Sequence, residues 1–77
     1  MDYRNRIQHN PGIMLGKPVI KGTRITVEAI LKKLSEGATL EELLKAYPTL
    51  SKEDIYASLH YASAIIANEE IIIPKAS

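Results

Sequence analysis

The sequence predicts a mainly α fold: a three-helix bundle with helix-turn-helix spacing, preceded by a short β arm or hairpin. Apolar residues recur at helical intervals from Val27 onward. Each periodic block is preceded by a Thr or Ser placed to cap a helix. The first 24 residues carry no such period and are broken by Asn10-Pro11-Gly12, Gly16-Lys17-Pro18 and Gly22. This makes residues 1–77 one domain, with an N-terminal arm (1–25), a three-helix bundle (26–67) and a C-terminal tail (68–77).

In the arm, Ile7-Gln8-His9 and Val19-Ile20 are the best strand candidates, short β-prone runs between turn-forming residues. The first helix is expected over about Val27 to Glu36, because Val27, Ile30, Leu31 and Leu34 fall on one helical face. Thr26 is its N-cap, Ile25 and Ile30 are spaced as a hydrophobic staple, and Gly37 stands where a left-handed cap is wanted. Thr39-Leu40-Glu41-Glu42 spells a capping box for the second helix, in which the threonine oxygen accepts the Glu42 amide and the glutamate accepts the threonine amide. Its apolar face is Leu40, Leu43, Leu44 and Tyr47, and Pro48 ends it by disfavouring helical geometry at Tyr47.

Ser51-Lys52-Glu53-Asp54 offers a third start, with Asp54 in the Glu position of the box and Leu50 with Ile55 as staple. This third helix is expected to bury Ile55, Leu59, Ala62 and Ile66, to run to about Ala67 and to cap on Asn68. The tail Ile71-Ile72-Ile73-Pro74 is β-prone, and three consecutive isoleucines call for a covering partner.

Composition narrows the function. A chain of 77 residues buries only roughly 60% of its unfolded surface, so oligomerisation or a partner is the expected supplement where no cysteine offers a disulfide. Absence of cysteine and a charged N-terminus, Met1-Asp2-Tyr3-Arg4-Asn5-Arg6, fit a cytoplasmic protein without a secretory signal or membrane span. The net charge of +1 conceals a division: residues 1–33 hold seven Lys/Arg against two acids, residues 34–77 three against seven. A basic half can meet phosphates or an acidic protein surface.

No catalytic, metal or cofactor constellation is expected. Gly12-Ile13-Met14-Leu15-Gly16-Lys17-Pro18 superficially resembles a phosphate loop, yet its glycines are one residue too close and proline stands where a magnesium-binding hydroxyl is required. His9 and His60 lack a second His or Cys at ligand spacing. Adjacent glutamates at 41–42 and 69–70 do not face one another on a helix. Two helices joined by a tight turn outline a DNA-reading motif, but the third helix opens on Glu53 and Asp54, which as first-turn acids complement the helix dipole and would oppose phosphates.

The run Gly16-Lys17-Pro18-Val19-Ile20-Lys21-Gly22-Thr23-Arg24-Ile25-Thr26-Val27 resembles the domain of unknown function 433 family, small bacterial and archaeal proteins described as antitoxin-like. The resemblance continues through Gly37-Ala38-Thr39 with Glu41, Glu42 and Leu43, through Tyr47-Pro48-Thr49-Leu50-Ser51 and Glu53-Asp54-Ile55, and along Ala57 to Ala62, covering residues 7 to 63. It implies a homeodomain-like three-helix fold and the antitoxin half of a type II toxin–antitoxin pair, encoded beside a PIN-like ribonuclease. Many members carry a further glycine where this chain has Leu15.

Within the motif, Pro18 pre-sets an extended segment, Gly22 permits positive φ, and Thr23 and Arg24 can satisfy carbonyls or an anion. Arg24 suits a carboxylate or phosphate, or ties the arm to Glu28. The leading expectation is a non-enzymatic module, a homodimer built through arm and helices, that neutralises a PIN-like ribonuclease. Glu69, Glu70, Ile71, Ile72 and Ile73 are its candidate partner-binding residues. The alternative is a DNA-binding autoregulator that places Lys17, Lys21, Thr23 and Arg24 on operator phosphates.

Overall fold

The computed structural model describes residues 3–72, and side chains as far as residue 67. Its order is a 3-10 turn at Tyr3–Asn5, strand β1 (Ile7–Gln8), a second tight turn at Met14–Gly16, strand β2 (Val19–Ile20), and helices α1 (Val27–Ser35), α2 (Leu40–Ala46) and α3 (Lys52–Ile72).

The arm is an antiparallel pair in which Ile7 faces Ile20 and Gln8 faces Val19. The other edge of β2 is used as well. Ile20 N–H donates to Ile25 O (2.9 Å), Val27 N–H donates to Pro18 O (2.9 Å), and Val19 bridges Thr26. The Lys21–Arg24 turn thus folds the chain back so that β2 lies between β1 and the segment entering α1. Gly22 takes φ 81° in that turn, a region costly for any residue with a Cβ. Thr23 Oγ1 locks it by donating to Ile20 O (2.8 Å) while accepting the Ile25 amide (3.0 Å).

All three helix starts form as the sequence predicts. Thr26 Oγ1 accepts the Ala29 amide (3.0 Å). At α2 the Glu42 amide donates to Thr39 Oγ1 (3.1 Å) and the Thr39 amide donates to Glu42 Oε1 (2.8 Å). At α3 the Ser51 amide donates to Asp54 Oδ2 (3.0 Å) and the Asp54 amide to Ser51 Oγ (3.3 Å), so aspartate completes the box despite its shorter reach. The core gathers Ile7 and Ile20 from the arm, Val27 and Ile30 from α1, Leu43 from α2, Leu50, and Ile55 and Ala57 from α3.

Two expectations for α3 are corrected. The helix does not stop at Ala67 with Asn68 as cap; it continues to Ile72. An interior Asn costs only a fraction of a kcal/mol, about 0.7 at most, and the good helix formers Glu69 and Glu70 come directly after it, so an existing helix propagates through. Ile71 and Ile72 are helical rather than extended, while Ile73 and Pro74 lie outside the described residues.

The buried stripe also differs. Ile55 is buried, but Leu59 is 45% and Ile66 54% exposed. Asp54, Ile55, Ala57 and Ser58 are buried instead, with Tyr61 half-buried. The cause is the arm: its Tyr3–Asn5 turn lies against α3 and turns the covered face toward Ser58 and Tyr61. Ser58 fits this dry position because its hydroxyl donates to Asp54 O (3.1 Å) one turn earlier.

Candidate functional site

Two features fasten the arm to α3, and both leave surface free beside them. Arg6 Nη1 donates to Asp54 Oδ1 at 3.0 Å and reaches Ser51 Oγ at 3.5 Å. One guanidinium therefore joins the arm to the capping box of α3. Asp54 is buried and already accepts the Ser51 amide, so the carboxylate is satisfied by the fold and does not face outward as an obstacle to phosphates. The second fastening is aromatic. Tyr61 packs edge-on to Tyr3 (centroids 5.9 Å) and lies beside His9 (5.9 Å), with its hydroxyl 3.2 Å from His9 Nε2. His60 lies beside Tyr3 in a tilted arrangement, centroids 6.0 Å apart, and His9 Nδ1 lies 3.3 Å from Gly16 O.

The basic residues singled out in the motif differ in availability. Lys17 ion-pairs with Glu28 (3.0 Å), so the tie to Glu28 considered for Arg24 is made by Lys17. Thr23 is committed to its turn. Lys21 and Arg24 are exposed, and Arg24 pairs with no acid among the described residues. Of the C-terminal candidates, Glu69, Glu70, Ile71 and Ile72 lie on the last turns of α3, and Ile73 lies outside the described residues.

Sequence reasoning missed the apolar surface on the outer side of α3. Between α1 and α3 runs a groove of about 600 Å³ with Pro18, Leu31, Tyr61, Ala62, Ile65 and Ile66 among its lining residues. Leu59 and Ile66 continue it around the helix as an exposed stripe with Ala62, Ser63 and Ala67. The signal was present: α3 is apolar on nearly every side between residues 55 and 66, more than one buried face can use.

The family model described as "Protein of unknown function (DUF433)" matches residues 7–62. The chain belongs to the DUF433 family. This DUF433 domain is similar to a crystal structure of a DUF433 member protein from Anabaena variabilis ATCC 29413, with 36% identity and a TM-score of 0.78, over 91% of this chain and 69% of that one. It is also 34% identical over 61 residues to the uncharacterized protein y4eO of Sinorhizobium fredii (strain NBRC 101917 / NGR234). That match takes in 79% of this chain and only 28% of the relative, so the DUF433 domain corresponds to a minor part of the longer protein. The three helices with an antiparallel two-stranded arm agree with the fold the family resemblance implies. No helix among the described residues is long and apolar enough to cross a membrane.

Proposed function

We propose that this DUF433 chain is a non-catalytic, antitoxin-like binding module of the cytoplasm that holds a PIN-like ribonuclease partner through the outer face and C-terminal end of α3. The supporting observation is the exposed stripe Leu59, Ile66 and Ala67, on the side of α3 that its own core does not use. A helix presenting apolar residues at such spacing is suited to an apolar groove on a partner. Charge at the helix end adds to this. The last turn of α3 holds no base, and Glu69 with Glu70 stands where the dipole favours cations, so a partner bringing Lys or Arg to that end relieves an unfavourable arrangement.

The test is co-expression of the tagged chain with the products of neighbouring reading frames, using the full chain and a chain lacking residues 69–77. Stoichiometric capture of a nuclease by the full chain, lost on truncation with helical circular dichroism retained, is the expected result. Equal capture by both chains removes the C-terminal end from the interface. Failure of both chains to retain a nuclease removes the antitoxin reading.

A second reading, DNA binding by the arm, is favoured by the exposed pair Lys21 and Arg24 flanking the Gly22 turn. It requires affinity that falls steeply with salt, and a shallower salt slope on Arg24→Ala.

A further inference from the structure

The Met14–Gly16 turn is built against conformational preference. Met14 (φ 49°), Leu15 (φ 59°) and Gly16 (φ 81°) are three consecutive residues in the positive-φ region, and only the last is glycine. The leucine gains nothing inside its own chain for this strain, because it is 92% exposed, and Met14 beside it is 43% exposed. The turn is nevertheless firmly held. Gly16 N–H donates to Ile13 O (3.1 Å), Lys17 N–H donates to Met14 O (3.1 Å), and the Lys17–Glu28 ion pair anchors the C-terminal side of the turn to α1. A rigid apolar knob is thereby presented to solvent.

The knob stands beside the groove between α1 and α3. Leu15 precedes the groove-lining Pro18 by three residues, at most about 10 Å of chain. Glu28, the partner of Lys17, also lines the groove, as does Tyr61, which is bonded to His9. A knob held this close to the edge of a socket can supply a self-complementary surface, the requirement for a two-fold contact in which each copy gives what it receives. The charges agree. Lys17, Glu28 and Lys32 make a mixed-sign border, on which Glu28 of one copy can meet Lys32 of the other, whereas a border of one sign would repel a second copy.

We propose that the occupant of this groove is a second copy of the chain, the Met14–Leu15 knob of each protomer seated between α1 and α3 of its partner. The two-fold contact buries two leucines, one at each site, so removing them weakens association by about a hundredfold to ten-thousandfold. The nuclease reading shares Ile66 with this groove, but the inference is tested on the purified chain alone, with no nuclease present.

Sedimentation velocity on the full chain should give a reversible dimer at high micromolar protein. Leu15→Gly, which retains the turn and deletes the knob, should shift it toward monomer with its helical signal unchanged. Because the chain has no cysteine, a mixture of Leu15→Cys and Ser35→Cys chains should form a disulfide-linked heterodimer under mild oxidation, and a mixture of Leu15→Cys and Ala46→Cys chains should not. A wild-type chain that stays monomeric overturns the proposal, including one whose groove takes up an apolar dye instead. So does a dimer that survives Leu15→Gly without the Leu15→Cys with Ser35→Cys cross-link, which would place the contact on another face.

Discussion

Leu15→Gly should stabilise the isolated protomer, a counterintuitive outcome for replacing an apolar residue in a small protein. Leu15 occupies φ 59°, ψ 31°, where a Cβ costs roughly 1–2 kcal/mol against the right-handed alternative. Glycine removes that cost but adds freedom to the unfolded chain, giving back about 0.4–1 kcal/mol. No packing is lost within the protomer because the side chain is 92% exposed. The net is a gain of about 1 kcal/mol, which raises Tm by about 4–8 °C for a domain of this size. The assay is thermal denaturation followed by circular dichroism at low micromolar protein, where association does not contribute. Leu15→Ala is the control, since it shortens the side chain but keeps the Cβ, and its Tm should stay near that of the parent. An unchanged or lower Tm for the glycine variant, or equal gains for both variants, would refute the strain argument.

Asp54→Ala removes the carboxylate shared by the Ser51 amide and Arg6 and should cost about 1–3 kcal/mol, read as a fall in urea midpoint. Arg6→Ala should cost less, because the Arg6 side chain is 41% exposed and Asp54 keeps its backbone donor. Thr39→Ala breaks the exposed box of α2 and should cost about 1 kcal/mol in the same assay. Ile30→Ala, at a fully buried position in α1, should cost about 2–5 kcal/mol. Against a total near the usual ~0.1 kcal/mol per residue this leaves a folded chain with roughly half its stability, and a large fall in urea midpoint with the cooperative transition retained would register it.

The parts of the fold that were legible in the sequence are those governed by local chemistry. Thr26, Thr39 and Ser51 announce their helices because a hydroxyl three residues before an amide solves the same backbone problem in any context. Gly22 and Gly37 mark positive φ, and Val19 with Ile20 marks the strand. The parts that were not legible depend on contacts across the chain. Nothing near Arg6 in sequence points to Asp54, 48 residues away, and nothing near His9 points to Tyr61. The strain at Leu15 was half visible, as a leucine where the family resemblance implies glycine, but its exposure belongs to the folded molecule.

The difference between the periodic stripe of α3 and the face it buries is informative about function for the same reason. Ile55, Leu59, Ala62 and Ile66 satisfy the helical period as well as any stripe in the chain, and periodicity cannot say whether the covering surface is the same chain or another. In this fold the arm covers the adjacent stripe through Tyr3, Arg6 and His9, and Ser58 can occupy the dry side only because it bonds back to Asp54 O. Leu59 and Ile66 of the regular apolar stripe are then left over on the outside. A leucine or isoleucine half exposed on a surface is ordinary when isolated. Leu59, Ile65 and Ile66 are grouped on one helix, and Ile65 and Ile66 line a groove. A chain this short has little core to spare, so these residues are better explained as contacts completed by a second molecule than as core residues misplaced.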